Sequence, residues 1–202
     1  MDKIQTILPD YFDRNVQQLD QRFSRHQLIQ LTAILQAEKK LLNPPLLDVG
    51  SGTGIIARIL SQINPACRPI AEYDFSFQMM KYNHLNYADT QGIECVLGDA
   101  HHLAVRSDKI NTVVCFSAFA HFDDKQQVLS EFYRVLKPDG ILIILHLLGH
   151  KQLNKMHCNL SDPVENDYLP PVENLNLMLR QKGFSIQRQE EAPTIYLSIS
   201  VK

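Results

Sequence analysis

A glycine-rich turn at residues 48–54 restricts the possible folds of this chain more than any other feature of its sequence. The stretch reads Asp-Val-Gly-Ser-Gly-Thr-Gly, it follows the apolar residues Leu46 and Leu47, and apolar residues at helical spacing begin at Ile55. Glycines at this spacing let the backbone turn sharply and approach a ligand closely. The following helix would present free N–H groups to a carboxylate or a phosphate. The segment therefore predicts a strand, a ligand-binding turn and a helix, although a turn that binds nothing has the same spacing.

Strands and helices are expected to alternate along the rest of the chain. One or two amphipathic helices are expected before residue 45. Alternation predicts a mostly parallel sheet covered by helices on both faces, and the short separation of the last two strands predicts that the last strand is antiparallel. The expected strands are 46–49, 68–73, 94–97, 111–116, 141–145, 184–188 and 194–201, and the expected helices are 55–63, 76–88, 128–136 and one around 175–179 that ends at Gly183.

Composition and charge narrow the class of protein. The chain has 202 residues, of which 45% are hydrophobic and 21% charged, and this suits one folded domain. The net charge is -2, whereas nucleic-acid-binding proteins usually carry an excess of positive charge, so a nucleic-acid partner is disfavoured. No apolar run approaches ~18 residues and no basic segment precedes an apolar one at the start, so neither a membrane span nor a secretory signal is expected. Four cysteines without a C-x-x-C pair indicate reduced thiols and a cytoplasmic location.

The glycine spacing separates two families of nucleotide-binding turns. The dehydrogenase fingerprint G-x-G-x-x-G would require a glycine at Ile55, whereas this turn is G-x-G-x-G with an aspartate two residues before the first glycine. That pattern resembles motif I of the class I S-adenosylmethionine-dependent methyltransferases. Further segments resemble the same family in order over residues 45–146, namely 73–80, Gly98-Asp99-Ala100, 111–116 with His121-Phe122, and 132–140, where Asp139 replaces the first glycine of R-V-L-K-P-G-G.

The resemblance implies an α/β fold, a Rossmann-like three-layer sandwich with a seven-stranded, mostly parallel sheet, and S-adenosyl-L-methionine as the cofactor. It also implies roles for three aspartates. Asp48 would receive the methionyl ammonium, Asp74 would accept hydrogen bonds from the ribose hydroxyls, and Asp99 would accept one from the adenine amino group while the N–H of Ala100 donates to a ring nitrogen. The alternatives are structural: a strand-end aspartate for Asp48, a helix cap for Asp74 and a turn aspartate for Asp99.

The remaining cofactor-binding candidates belong to the turn or are apolar. Backbone N–H groups of the turn would meet the methionyl carboxylate and the edge of the ribose, and two apolar side chains would flank the adenine or simply belong to the core. These candidates are Gly50, Ser51, Gly52, Gly54, Phe75, Met79 and Phe116.

Histidines that follow the fourth and fifth strands are the candidate catalytic residues that would act on the methyl acceptor. His146 and His157 follow the fifth strand, and His121 follows the fourth. Histidine can orient a polar acceptor or take its proton near neutral pH. His146 and His150 have the i, i+4 spacing of two metal ligands on a helix, but His146 ends a strand, so no metal is expected.

The expected organisation is a single methyltransferase domain at 1–202. Residues 1–44 form an N-terminal helical cap, 45–146 the cofactor-binding core, 147–182 a variable insert with a helix, and 183–202 the C-terminal strands. The acceptor site is expected between the ends of strands four and five, under residues 147–171 and the N-terminal helices. Residues 162–171 would be a lid over this site or only a connecting loop.

The sequence thus predicts methyl transfer to a small-molecule acceptor by a monomer or homodimer. Two alternatives stay open. A nicotinamide-dependent oxidoreductase would bind NAD, and Ile55 argues against it. A protein that binds the nucleoside cofactor without chemistry would differ only in turnover on a panel of acceptors.

Overall fold

The computed structural model describes residues 4–87, 90–160 and 164–202. Its strands are β1 (Leu46–Val49), β2 (Ile70–Asp74), β3 (Ile93–Leu97), β4 (Ile110–Phe116), β5 (Leu136–His146), β6 (Ser185–Ala192) and β7 (Ile195–Val201). They form one seven-stranded sheet in the order β3-β2-β1-β4-β5-β7-β6, and β7 runs antiparallel to both of its neighbours. The predicted seven-stranded sheet with an antiparallel last strand is confirmed.

Helices lie on both faces of the sheet. They are α1 (Ile4–Arg14), α2 (Val16–Asp20), α3 (Arg25–Ala37), α4 (Ile55–Ile63), α5 (Phe77–Tyr87), α6 (Lys125–Val135), α7 (His150–His157) and α8 (Val172–Gln181). The described part of the N-terminal region contains three helices, where one or two were expected, and α7 is an addition that the sequence analysis did not predict. None of the helices in the described residues combines the length and apolar character needed to cross a membrane.

The central strands are buried on both faces, as parallel strands between two helical layers should be. Along β4, Val113 and Cys115 belong to one core cluster, whereas Val114 and Phe116 belong to the other. All four of these side chains are buried. The continuous apolar sequence of β4 is therefore explained by its central position in the sheet.

The sequence predicts that Lys137-Pro138-Asp139-Gly140 ends a helix and separates it from the next strand. In the structure the helix does end before this segment, but the four residues already lie within the next strand. The helix α6 stops at Val135, and β5 begins at Leu136, which pairs with Ile110 before a register shift. Asp139 has φ 63°, a left-handed conformation that aspartate tolerates better than most residues. This explains how an aspartate can occupy a position where the resembled family has glycine.

The order of the strands places a crevice above β1. This strand pairs with β2 on one side and with β4 on the other, both in parallel, so the chain winds in opposite directions from this point. In open α/β sheets, ligands bind outside the carboxyl ends of the strands at such a reversal. The carboxyl ends of β1, β2 and β4 therefore define where a site should be sought.

Candidate cofactor cleft and acceptor site

A cleft opens at this point of the sheet. The glycine turn, the end of β2 and the end of β4 form its floor, and Phe12, Leu19 and Phe23 from the N-terminal region cover it. Residues of the N-terminal region thus line the same cleft as the glycine turn. The predicted site residues that line the cleft are Gly50, Ser51, Gly52, Asp74, Phe75, Met79, Phe116 and His121.

The glycines shape the turn by their conformation and by the space that they leave free. Gly50 has φ +72°, and a Cβ at this position would lie 2.3 Å from the Cβ of Ala118. The N–H of Gly50 donates to the carbonyl of Tyr73 at 2.8 Å, and that of Gly54 donates to the carbonyl of Ser51 at 3.0 Å. These two N–H groups therefore hold the turn against β2 and against itself, and the contact of the turn with a cofactor remains a prediction.

Asp74 connects the turn with the start of α5. Its Oδ2 accepts a hydrogen bond from the N–H of Gly52 at 2.9 Å, and its Oδ1 accepts one from the N–H of Ser76 at 2.9 Å. Burial raises the pKa of the Asp74 carboxyl, although these backbone hydrogen bonds oppose the shift. The side-chain cap of α5 is Ser76, whose Oγ accepts from the N–H of Met79 at 3.1 Å. Asp74 thus lines the cleft without being the side chain that caps the helix.

Asp48 lies at the end of β1 next to the turn, but it does not line the cleft. It is 1% exposed, and neither of its carboxyl oxygens has a hydrogen-bond partner among the described residues. Burial, followed by the charges of Glu72 and Asp74, raises the pKa of Asp48 well above its usual value. A buried carboxylate without a partner is costly. An ammonium group bound at the turn would supply the hydrogen-bond donors and the positive charge that the Asp48 carboxyl group lacks as partners. The residues present therefore fit the amino-acid end of S-adenosylmethionine.

Glu72 is a further buried acid beside Asp48 and Asp74, and the sequence analysis did not single it out. It lies opposite Asp48 in the register of β1 and β2, and burial raises its pKa to about 7. The side-chain amide of Asn83 donates to its Oε2 at 3.2 Å. The available signal was a glutamate in the middle of the strand sequence Ile-Ala-Glu-Tyr-Asp, where a solvated side chain is not expected.

Asp99 and Ala100 are not among the residues that line the cleft. Asp99 caps the short 3-10 helix Ala100–His102, and its Oδ1 accepts from the N–H of His101 at 2.9 Å and contacts the His101 ring at 2.6 Å. Burial would raise the pKa of Asp99, but the hydrogen bonds from His101 outweigh burial and lower it. The structure therefore shows Asp99 in the turn-capping role that was the alternative, and an adenine contact remains a prediction.

The three candidate histidines lie together, and His121 is the one of the three that lines the cleft. His121 lines the cleft, and its ring centroid is 5.3 Å from that of His157. His157 and His146 are buried behind it, and burial lowers the pKa of both, that of His146 well below 6.5. Neither ring nitrogen of His146 has a hydrogen-bond partner among the described residues, and the ring packs on Tyr196. Of the three candidates, His121 is therefore the one exposed to the cleft.

The metal interpretation finds no support in the described residues. The imidazole of His150 binds the carboxylate of Glu191 instead of pointing with His146 at a common centre. Within residues 4–87, 90–160 and 164–202, no group of three or more histidine, cysteine, aspartate or glutamate side chains has a metal-binding arrangement.

The loop after α7 contributes a residue that the sequence analysis did not single out. The ring Nδ1 of His121 lies 2.5 Å from Oδ2 of Asp167, and the ring Nδ1 of His157 lies 2.9 Å from the backbone carbonyl of the same residue. Asp167 belongs to the predicted lid segment 162–171, of which residues 162 and 163 lie outside the described residues. The loop thus reaches the histidine at the cleft.

Comparisons with known proteins agree with this geometry. Residues 47–144 match the family model of a methyltransferase domain. The chain is 32% identical to demethylmenaquinone methyltransferase of Thermotoga maritima over 61% of this chain and 50% of that protein, and 26% identical to sterol 24-C-methyltransferase of Eremothecium gossypii over 72% and 41%. It spans about half the length of the curated relatives that it matches.

Solved structures extend the likeness to nearly the whole fold. An S-adenosylmethionine-dependent methyltransferase of Thermotoga maritima aligns with a TM-score of 0.72 at 21% identity, over 95% of this chain and 98% of that one. A second one, from Aquifex aeolicus, aligns with a TM-score of 0.65 at 18% identity, over 89% and 98%. Residues 47–144 therefore match the methyltransferase-domain family, and the chain has the fold of S-adenosylmethionine-dependent methyltransferases.

Proposed function

We propose that this protein transfers a methyl group from S-adenosylmethionine to an apolar small molecule bound in the cleft. One observation carries the proposal: the glycine turn, Asp74 and His121 line a single cleft, and the unpartnered carboxylate of Asp48 lies beside the turn. When bound, S-adenosylmethionine supplies an electrophilic methyl group on a sulfonium. The protein's task is then mainly to align donor and acceptor.

The cofactor roles follow from the position of each residue. Asp48 would receive the methionyl ammonium, because both oxygens of its buried carboxyl group lack a hydrogen-bond partner among the described residues. Asp74 lies where ribose hydroxyls could use the remaining lone pairs of its oxygens. Phe75 and Met79 offer apolar surface for the adenine on the α5 side of the cleft.

The acceptor class follows from the lining. Five phenylalanines from different segments line the cleft, and apolar and aromatic walls favour an apolar or ring-containing ligand. The printed names of the relatives point the same way, since they act on demethylmenaquinone and on sterols. The five phenylalanines are Phe12, Phe23, Phe75, Phe116 and Phe122.

Two measurements test the proposal. Calorimetry with S-adenosylmethionine, S-adenosylhomocysteine and NAD should show binding of the first two and little of NAD. Release of S-adenosylhomocysteine should then be followed with hydroxylated aromatic, quinol and sterol acceptors. Tight NAD binding without a response to the other two ligands would contradict the cofactor assignment. Cofactor binding without turnover on any acceptor class would favour the non-catalytic alternative.

A further inference from the structure

We propose that Asp167 is a positioning residue that holds His121 as a proton acceptor facing the cleft, and that the methyl acceptor therefore carries a proton that it loses to His121. This inference rests on the proposed function and adds to it a requirement on the acceptor. Hydroxylated rings and enols meet that requirement, whereas thioethers and other groups with a free lone pair and no such proton do not.

The orientation of His121 is the first step. His121 ends the short 3-10 helix Phe119–His121 that follows β4, and its ring lines the cleft. Its Nδ1 is engaged by Oδ2 of Asp167 at 2.5 Å. Nε2 is consequently the ring nitrogen left for a ligand in the cleft. Phe12 closes on the ring from the N-terminal side, with centroids 5.2 Å apart, so the ring has little freedom to turn.

The second step concerns the proton on the ring. An ionised carboxylate only accepts hydrogen bonds, so the contact with Asp167 requires the proton of neutral His121 to be on Nδ1. The lone pair is then on Nε2, which makes this atom a proton acceptor. Asp167 also stabilises the imidazolium that forms when Nε2 takes a proton, because an opposite charge in contact favours the charged form.

The third step is that Asp167 is itself fixed. Its backbone carbonyl accepts from Nδ1 of His157, a histidine that is 2% exposed and belongs to α7. The His157 ring packs on the His121 ring at an interplanar angle of 36°. The loop is thus bound to two histidines at once, through its side chain and through its backbone.

Other charges around the pair do not replace Asp167. Lys125 donates from Nζ to the carbonyls of Ala120 and Phe122, on either side of His121. The further titratable or charged groups that act on this cluster are His146, His157, Arg22 and, on Lys125, Asp123. The carboxylate of Asp123 contacts the ring of His101 at 2.7 Å, and Asp167 is the carboxylate that is paired with His121.

The proton balance is simple. The acceptor's O–H bond, or its acidic C–H bond, breaks, and a bond between Nε2 of His121 and that proton forms. The electron pair stays on the acceptor and becomes the pair that bonds to the methyl group. The imidazolium of His121 is paired with Asp167 until the proton leaves to solvent.

The first experiment reads the ring directly and needs no acceptor. Long-range ¹H–¹⁵N spectra of protein labelled at histidine should show neutral His121, identified by its absence in His121→Gln, with the proton on Nδ1. Asp167→Asn should move the proton to Nε2, because the amide donates to Nδ1. Glu165→Gln, which alters an exposed carboxylate in the same loop, should leave the spectrum unchanged. A parent spectrum in which neutral His121 carries its proton on Nε2 would overturn the proposal, whether or not the protein proves to be a methyltransferase.

The second experiment separates positioning from a merely structural tether. Asp167→Asn should lower kcat by about 10²-fold, the scale of a lost acid–base group, and Asp167→Ala by less, because alanine does not impose the wrong tautomer. Cofactor affinity should stay within about twofold in both variants. If Asp167→Asn turns over normally, or if alanine is the more damaging change, Asp167 is only a loop anchor.

Discussion

The backbone N–H of Gly52 donates a hydrogen bond to Oδ2 of Asp74 at 2.9 Å, so the glycine turn and the end of β2 are joined across the floor of the cleft. The same carboxylate also receives the N–H of Ser76 at the start of α5. One side chain thus fixes the relative positions of three segments that a cofactor would contact.

Removing this carboxylate should therefore weaken cofactor binding more than it weakens the fold. We expect Asp74→Ala to lower the affinity for S-adenosylmethionine by about 1–3 kcal/mol, the cost of leaving hydrogen-bonding groups unpaired. Isothermal calorimetry measures the affinity, and urea unfolding measures stability. Glu94→Ala, which removes an exposed acid on β3, is the control and should bind normally. Parent-like affinity in Asp74→Ala would mean that the ribose assignment is wrong.

The two glycines at the cleft should respond differently to alanine. Gly50→Ala combines a positive φ with a Cβ only 2.3 Å from that of Ala118, whereas Gly52→Ala at φ +55° meets no atom within 4 Å. We expect Gly52→Ala to cost about 1–2 kcal/mol in the free energy of unfolding, from the left-handed backbone alone. Gly50→Ala should cost about 1–3 kcal/mol more because of overpacking. Equal losses in urea unfolding would contradict the close approach to Ala118.

The buried Glu72 should make the fold less stable at higher pH. Its pKa is raised to about 7 in the fold from 4.5, so the folded protein holds this proton more tightly than the unfolded chain does. Stability from this group is greatest below pH 4.5, falls as the pH rises to about 7, and is constant above that. At about 1.4 kcal/mol per pKa unit, the loss is on the order of 3 kcal/mol.

Glu72→Gln tests this relationship, because glutamine keeps an oxygen for the amide of Asn83 but cannot ionise. The variant should be more stable than the parent at pH 8, and this advantage should disappear at pH 4.5, as measured by urea unfolding at both values. An advantage of the same size at both values would show that ionisation of Glu72 is not its cause.

His146 should have the opposite pH dependence. Burial lowers its pKa well below 6.5, so the unfolded chain takes up a proton that the fold excludes. The stability from keeping His146 neutral is present above pH 6.5 and is lost as the pH falls below it. His146→Phe should therefore lose less stability than the parent between pH 7 and pH 5, and it should keep its cofactor affinity. A parallel loss in both proteins would place the acid sensitivity elsewhere.

Asp13 should control how firmly α1 closes the cleft. Its Oδ1 accepts from Oγ of Ser76 at 2.5 Å and from the N–H of Gln78 at 3.0 Å, so α1 is fastened to the start of α5 next to Phe12. We expect Asp13→Ala to speed amide exchange in α1 and cofactor dissociation by about tenfold, which corresponds to one charge-assisted hydrogen bond of ~1.5 kcal/mol. Asp10→Ala, an exposed acid on the same helix, is the control. Unchanged exchange in Asp13→Ala would show that α1 is held by packing alone.

Much of the fold could be predicted from local patterns. The alternation of apolar strands with helical stripes gave the parallel sheet, and the motif from Asp48 to Gly54 gave the place of the cleft, because both signals lie within short stretches of chain. The helix α7 was missed because it lacks such a local signal. Its sequence, His-Lys-Gln-Leu-Asn-Lys-Met-His, contains two apolar residues, Leu153 and Met156, so it shows no stripe.

The candidate site was less predictable, because it depends on contacts between distant residues. Which histidine faces the cleft is decided by packing that buries His146 and His157 and leaves His121 at the surface of the cavity. The partner of His121 is Asp167, 46 residues further along the chain. No spacing rule connects two such positions, so the pair became visible only in three dimensions.

The position of β7 has a consequence for the order of assembly. This strand is made after β6 but stands between β6 and β5, and a two-residue turn at Pro193 and Thr194 joins the last two strands. During synthesis, β5 thus presents an open apolar edge until residue 201 has emerged, and an open edge invites pairing with other chains. Local hairpins form within about 1–10 μs, so β6 and β7 can pair first and then cover β5 together. The hairpin of β6 and β7 is therefore the part of the chain that ends the exposure of the β5 edge to aggregation.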